Sequence, residues 1–235
     1  MRGSQKNINY KIEWSPDFAY AIGLIATDGC LSKNGRGIDF TSKDIQLVET
    51  FRNCLKLSNV KIGQKNSGTV SKKIYFRIQF SNIKLYNWLI KIGITPKKSK
   101  TIGTINIPKN YFFDLLRGLF DGDGSVYTFI NKKWKNSFIL YTSFNSASLE
   151  HLQWVREEIK KRISISGCII KCKRIFILRY AKADSKKLIQ KMYCKDNAPC
   201  CQRKYDKIKS LLKIDDERTK NRIEARVVKL VNTLV

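Results

Sequence analysis

Histidine is nearly missing from this chain, acidic residues are scarce, and no apolar run is long. A single histidine, His151, among 235 residues leaves no partner for a histidine-built metal centre, and it is expected on the exposed side of a helix. Only 19 Asp+Glu stand against 46 Lys+Arg, for a net charge of +27. A surface this positive has no reason to seek sugars; its natural partner is a polyanion, nucleic acid before an acidic protein or a membrane. No segment approaches the roughly 20 apolar residues of a membrane span, and the polar, basic N-terminus lacks the apolar centre of a signal peptide. Cys-x2-Cys pairs are absent too. The seven cysteines (30, 54, 168, 172, 194, 200 and 201) are odd in number, and Cys168-x3-Cys172 and Cys194-x5-Cys200-Cys201 fit zinc spacings poorly. Free thiols in a reducing compartment are expected, so the chain is placed inside the cell, in cytoplasm or an organelle, and not among secreted proteins.

What is present is a repeated stretch. Phe18-Ala-Tyr-Ala-Ile-Gly-Leu-Ile-Ala-Thr-Asp-Gly-Cys30 and Tyr111-Phe-Phe-Asp-Leu-Leu-Arg-Gly-Leu-Phe-Asp-Gly-Asp-Gly-Ser125 each run an apolar helix pattern into acid and glycine. Gly23-Leu24-Ile25 aligns with Gly118-Leu119-Phe120, and Asp28-Gly29 aligns with Asp123-Gly124, 95 residues later. Glycine inside a helix costs about 1 kcal/mol against alanine, so one kept there has a packing reason. Ala19 with Gly23, and Gly118 with Gly122, form small-residue faces on which two helices can lie together and bring Asp28 near Asp123. A carboxylate at a helix C-terminus sits at the negative end of the dipole, which favours a neighbouring cation. Two of them on so basic a chain point to a divalent metal. Asp121-Gly122-Asp123-Gly124 also opens like a calcium loop, but Ser125 and Lys132 stand where that loop needs acids.

Both stretches resemble the LAGLIDADG motif of homing endonucleases in its single-chain, two-motif form, the monomeric meganucleases. The copies read Ala21-Ile-Gly-Leu-Ile-Ala-Thr-Asp-Gly29 and Leu116-Arg-Gly-Leu-Phe-Asp-Gly-Asp-Gly124. The resemblance makes Asp28 and Asp123 metal-binding acids for Mg²⁺, with Mn²⁺ or Ca²⁺ able to occupy the same place, and lets the backbone carbonyls of Ala26 and Gly122 assist. The first copy departs at its sixth position, where Ala26 replaces an acid that Asp121 supplies in the second. The family also places a lysine beneath each site; Lys98, Lys204 and Lys43 are the candidates. Ser42 and Ser143 fall where a water-positioning polar residue often stands. The implied activity is an intron-encoded, site-specific endonuclease that binds double-stranded DNA as a monomer and makes a staggered double-strand break at a long asymmetric target. The alternative is a non-cleaving member, a DNA-binding regulator or a maturase bound to intron RNA.

The rest of the chain reads as two αββαββα halves. Ser15-Pro16-Asp17 opens the first helix with a cap and a proline at its first position. A hairpin about Asn34-Gly35 follows, then a helix over 44–55, a hairpin across Ser67-Gly68 and a helix capped by Asn82. In 71–80, Ile74, Phe76, Ile78 and Phe80 alternate with Lys73, Tyr75, Arg77 and Gln79, so one face packs on helices and the other is basic, aromatic and amide-bearing. The N-terminal half takes 1–100, a linker about 93–107, and the C-terminal half 108–205. There Pro108 opens a helix, strands over 124–131 and 136–143 flank Lys132-Lys133-Trp134-Lys135, and helices over 146–163 and 182–192 bracket a hairpin of 167–180. Thr41-Ser42 is matched with Thr142-Ser143. The fold class is α+β: two antiparallel sheets with helices on one face form a saddle for DNA on the other. Arg36, Lys73, Tyr75, Arg77, Gln79, Lys132, Lys133, Lys135, Lys171, Lys173 and Arg179 are the expected DNA contacts. An extension over 206–235 is expected to hold two short helices.

Overall fold

The computed structural model describes residues 12–66, 74–131, 133 and 137–231, without the side chains of 66, 131 and 226–231. Lys73, Lys132, Trp134, Lys135 and the Ser67-Gly68 turn therefore lie outside the described residues.

The first half runs α1 (Pro16–Thr27), β1 (Gly29–Leu31), β2 (Gly37–Ser42), α2 (Ile45–Cys54), β3 (Ile62–Asn66), β4 (Ile74–Ser81) and α3 (Ile83–Lys91). The second repeats the plan with α4 (Phe112–Asp123), β5 (Ser125–Asn131), β6 (Ser137–Ser146), α5 (Leu149–Ile163), β7 (Cys168–Cys172), β8 (Ile175–Tyr180) and α6 (Lys182–Met192). Each half makes a four-stranded antiparallel sheet, ordered β1-β2-β4-β3 and β5-β6-β8-β7. Local chemistry sets the boundaries. The Ser15 hydroxyl accepts the Phe18 N–H at the start of α1, the Asn82 side chain accepts the Leu85 N–H at α3, and Gly35 turns the first hairpin with φ +74°. Pro108 starts a 3₁₀ turn, Lys109–Tyr111, that feeds α4.

One core runs through both halves, because α1 and α4 are the wall they share. Residues 18–26 of α1 and 115–121 of α4 are buried along their whole length. An alanine Cβ at Gly23 would stand 2.3 Å from the Leu115 carbonyl oxygen and 2.8 Å from the Gly118 Cα, so the two backbones touch where neither residue has a side chain. Ile78 and Phe80 of β4 are buried against the helices while Gln79 is exposed, which is the alternation read from sequence.

Three expectations need correction. Thr41-Ser42 is not the partner of Thr142-Ser143. Phe40 pairs with Ile78 and Phe144 with Leu178, so Phe40 corresponds to Phe144, Asp39 to Ser143, Thr41 to Asn145 and Ser42 to Ser146. The hydroxyls agree: Ser42 Oγ accepts the Asp44 N–H as Ser146 Oγ accepts the Ser148 N–H, one turn before α2 and α5. Strand β6 thus runs on to Ser146, and α5 starts at Leu149 behind the Ser148 cap. Second, His151 is buried at 6 % exposure, its Nδ1 2.8 Å from the Gly103 carbonyl oxygen. The linker lies across the face of α5 that sequence left to solvent. Third, the extension is one helix, α7 (Gln202–Val231), since no glycine or proline interrupts 202–231. Ile208 is buried and Asp215 is held by Lys182 and Lys186 of α6; residues 216–225 are exposed on every side.

Candidate active site and nucleic-acid interface

The two aspartates arrive at the end of the helix pair. Asp28 caps the C-terminus of α1 and Asp123 is the last residue of α4; both side chains open to solvent. Asp28 is pushed up to about 6, first because dense surroundings strip water from the carboxylate and then because Asp123 repels it; Lys204 and Lys98 pull the other way. Asp123 is raised by the same loss of water and lowered by Lys204 and Lys98. Among the described residues neither carboxylate has a salt-bridge partner.

Both lysines instead hold backbone. Lys98 sits in a 3₁₀ turn, Lys98–Lys100, at 6 % exposure, and its ammonium donates to the Gly29 carbonyl. Lys204, in the first turn of α7, donates to the carbonyls of Phe120 (2.8 Å), Gly122 (3.0 Å) and Gly124 (2.7 Å). Burial lowers the pKa of each, countered by the aspartates nearby. Each motif end therefore has one ammonium under it. Lys43 is exposed, its ammonium 5.4 Å from the Tyr75 ring centre, and its counterpart by register is Ala147.

The sixth motif position divides the halves. Asp121 is fully enclosed and accepts three hydrogen bonds, from the Tyr20 hydroxyl (2.7 Å), the Tyr193 hydroxyl (2.8 Å) and the Cys201 N–H (2.6 Å). Burial raises its pKa and these donors lower it. Arg117 also fixes this segment, donating to Met192 O and Pro199 O and pairing with Asp114. Cys201 opens α7 three residues before Lys204, so Asp121 and Arg117 hold the ground on which that lysine stands. On the other side, beside Ala26, a cleft of about 330 Å³ reaches from Asp123 to His151, lined also by Thr27, Ser99 and Asn145. Asn145 donates to the Asp123 carbonyl at 2.7 Å. Sequence reasoning missed Asn145, Tyr20, Tyr193 and Arg117. The one available signal was Arg117, a charge within an apolar helix pattern three residues after Asp114.

The described residues hold no cluster of three or more His, Cys, Asp or Glu side chains suited to a metal ion. A hard cation nevertheless fits the motif ends: two solvent-open, mutually repelling carboxylates lie there beside helix-terminal carbonyls, which lack intrahelical donors. Ala26 O belongs to that last turn of α1, and Gly122 O is shared with Lys204.

The sheet faces sort the expected DNA contacts. Tyr75, Arg77 and Gln79 lie on the uncovered face of the first sheet, where Arg77 is paired with Asp39. Arg36 precedes β2 in the hairpin turn. On the second sheet Arg179 is on the uncovered face, its guanidinium 4.5 Å from the Tyr141 ring centre. Lys173 is in the β7–β8 turn and Lys133 is exposed in the β5–β6 connection. Lys171 is displaced: it pairs with Phe176 and shares the parity of Ile169 and buried Leu178, so it lies on the helix side at the open edge. Ser143 is buried at 2 % and bonded to the Ser125 hydroxyl.

Residues 15–98 match the family model of the LAGLIDADG-like domain. A replication factor C small subunit of Methanocaldococcus jannaschii is 30% identical over 179 residues; the match covers 66% of this chain and 9% of that protein, so the chain spans a small part of its length. Among solved structures, full-length DUF199/WhiA from Thermatoga maritima superposes with a TM-score of 0.54 at 19% identity over 94% of this chain and 71% of its own. The homing endonuclease I-WcaI bound to its DNA recognition sequence gives 0.56 at 17% over 81% and 89%. I-SmaMI bound to an uncleaved DNA target with calcium ions gives 0.58 at 14% over 89% and 93%. Residues 15–98 thus form a LAGLIDADG-like domain, and the second half of the chain repeats its elements and its motif.

Proposed function

We propose that this protein is a divalent-metal-dependent, site-specific DNA endonuclease that acts as a monomer and cuts both strands of a long asymmetric target. The observation that carries the reading is the pair of solvent-open, unneutralised carboxylates, Asp28 and Asp123, each motif end having a buried ammonium beneath it. A binding protein needs neither the repulsion between the acids nor two desolvated lysines. The I-WcaI and I-SmaMI structures, both bound to DNA, supply the analogy.

Asp28 and Asp123, with the carbonyls of Ala26 and Gly122, would hold the metal, Mg²⁺ in the cell. A bound divalent ion there would neutralise phosphate charge and lower the pKa of a water. The chain's own residues do the rest. Lys98 and Lys204 fix the backbone at the motif ends and add positive potential below the phosphate; their lowered pKa lets either give up a proton more readily than an exposed lysine. Asn145 anchors the Asp123 backbone. The uncovered sheet faces lie along the duplex, whose major groove, about 12 Å wide, admits β-strands.

Digestion of a DNA library with Mg²⁺, with EDTA, and with Asp28→Asn and Asp123→Asn tests this. We expect linear product only with metal, and nicked product from each single variant. Cleavage that persists in the double variant would refute the mechanism. Specific binding without cleavage under every condition would leave the non-cleaving alternative, a DNA-binding regulator or, if intron RNA is bound instead, a maturase.

A further inference from the structure

The two sheets present unlike faces, and the difference lies in one hairpin. Strand β5 has seven residues where β1 has three, and β6 runs from Ser137 to Ser146 where β2 spans only Gly37–Ser42. The added length carries large side chains on the uncovered face. Tyr127 pairs with Tyr141 and Phe129 with Ile139. The Tyr127 and Tyr141 rings lie 5.5 Å apart and those of Phe129 and Tyr141 6.0 Å apart, while Phe129 keeps 45 % of its surface exposed. By register, Gly37 stands where Tyr141 stands, so among the described residues the first sheet has no paired rings of this kind, only the single ring of Tyr75. The rest of its uncovered face is polar, with Asp39, Thr41, Arg77 and Gln79 beside Tyr75, and the Lys43 ammonium lies over that ring.

Cations bracket the strip. Arg179 stacks on Tyr141 at one end, and at the other Lys133 is exposed in the β5–β6 connection. An apolar strip between positive ends, on a chain of net charge +27, matches a polyanion with apolar points on its surface. The major groove of DNA has one such group, the C5-methyl of thymine, and apolar side chains are its usual partners.

We propose that Tyr127, Phe129, Ile139 and Tyr141 read thymine methyl groups, so that the half of the target beneath the second sheet is specified by thymines and the other half by polar contacts. The proposal rests on the DNA-binding part of the function above. It gives the two half-sites different chemistry: loss of methyls harms one half only, whereas donor and acceptor changes dominate in the other.

The test begins with binding selection from randomised duplex DNA, which does not require cleavage. Thymines of the selected site are then replaced by deoxyuridine, one half at a time, which removes the methyl and keeps every hydrogen-bonding group. We expect affinity to fall roughly fourfold for each methyl that had left water, in the half contacted by the second sheet and not in the other. In Phe129→Ala, an exposed position whose change leaves folding intact, the uracil penalty at the contacted base should vanish. Equal loss in both halves, no loss in either, or a selected half-site without thymine would overturn the proposal. So would sedimentation of the free protein as a dimer that Phe129→Ala dissolves, because the strip would then serve a second copy. Enrichment of no sequence at all would be a separate result, refuting DNA recognition itself and this inference with it.

Discussion

Replacing Gly118 with alanine sets two effects of opposite sign against each other. In an isolated helix the change stabilises by about 1 kcal/mol. Here the new Cβ would stand 2.2 Å from the Tyr20 carbonyl oxygen, 3.0 Å from the Gly23 Cα and 3.1 Å from the Leu24 N, all backbone atoms with no rotamer to move to. The helices must separate by about 1 Å, a gap that forfeits a quarter to a half of each dispersion contact it crosses. Tyr20, Leu24, Leu115 and Leu119 all belong to that buried contact. Overpacking typically costs 1–3 kcal/mol and more where backbone meets backbone, so a net loss of about 2–4 kcal/mol is expected after the helix gain. At this chain length that corresponds to a fall in Tm of about 5–15 °C by calorimetry. Gly63→Ala supplies the control, because its Cβ would meet only the Arg77 carbonyl oxygen at 3.9 Å and strand interiors favour alanine over glycine. A Gly118→Ala protein as stable as the parent, or more so, would refute the close helix contact and with it the placement of both acids.

Three further outcomes follow from the same geometry. Asp121→Asn turns one acceptor into a donor facing Tyr193, Tyr20 or the Cys201 N–H, which should loosen Lys204 and not Lys98. Supercoiled substrate should then accumulate as nicked circles, with a loss of about tenfold or more on one strand that disappears in a Lys204→Met background; equal loss on both strands would contradict it. His151 is held neutral by burial, its pKa below the usual 6.5, so its contribution is complete above pH 6.5 and is lost as pH falls through the folded value. Urea midpoints measured from pH 7 to pH 5 should decline, less steeply in His151→Gln. Ile223→Ser should change stability by no more than about 0.5 kcal/mol, since residues 216–225 are exposed; a larger drop in thermal melting would show that this face of α7 packs on the body.

Sequence carried the helix pair, the glycine contact, the alternation of β4 and both lysines near the motif ends, because each rests on local periodicity or on a repeat that can be aligned. It could not carry the role of Asp121. That side chain is satisfied by Tyr20, 101 residues before it, and by Tyr193 and Cys201, 72 and 80 residues after it. His151 went the same way, read as exposed because a helical pattern does not show that residues 102–103 lie over it. The strand register also needed pairing partners: Thr-Ser occurs in both halves, yet a hairpin of different length moves the copies out of phase.

Each half sends its trailing segment onto the other. The linker after α3 offers the Ile102 and Gly103 carbonyls to Ser148 and His151, while Cys200 and Gln202 exchange hydrogen bonds with Gln46 of α2. The two modules are thereby clasped twice, in opposite directions, in addition to their helix seam. Neither can swing outward alone, and a fragment holding one module would expose three unsatisfied surfaces at once. In a protein joined this way the spacing of its two acidic points is set by contacts made within one chain.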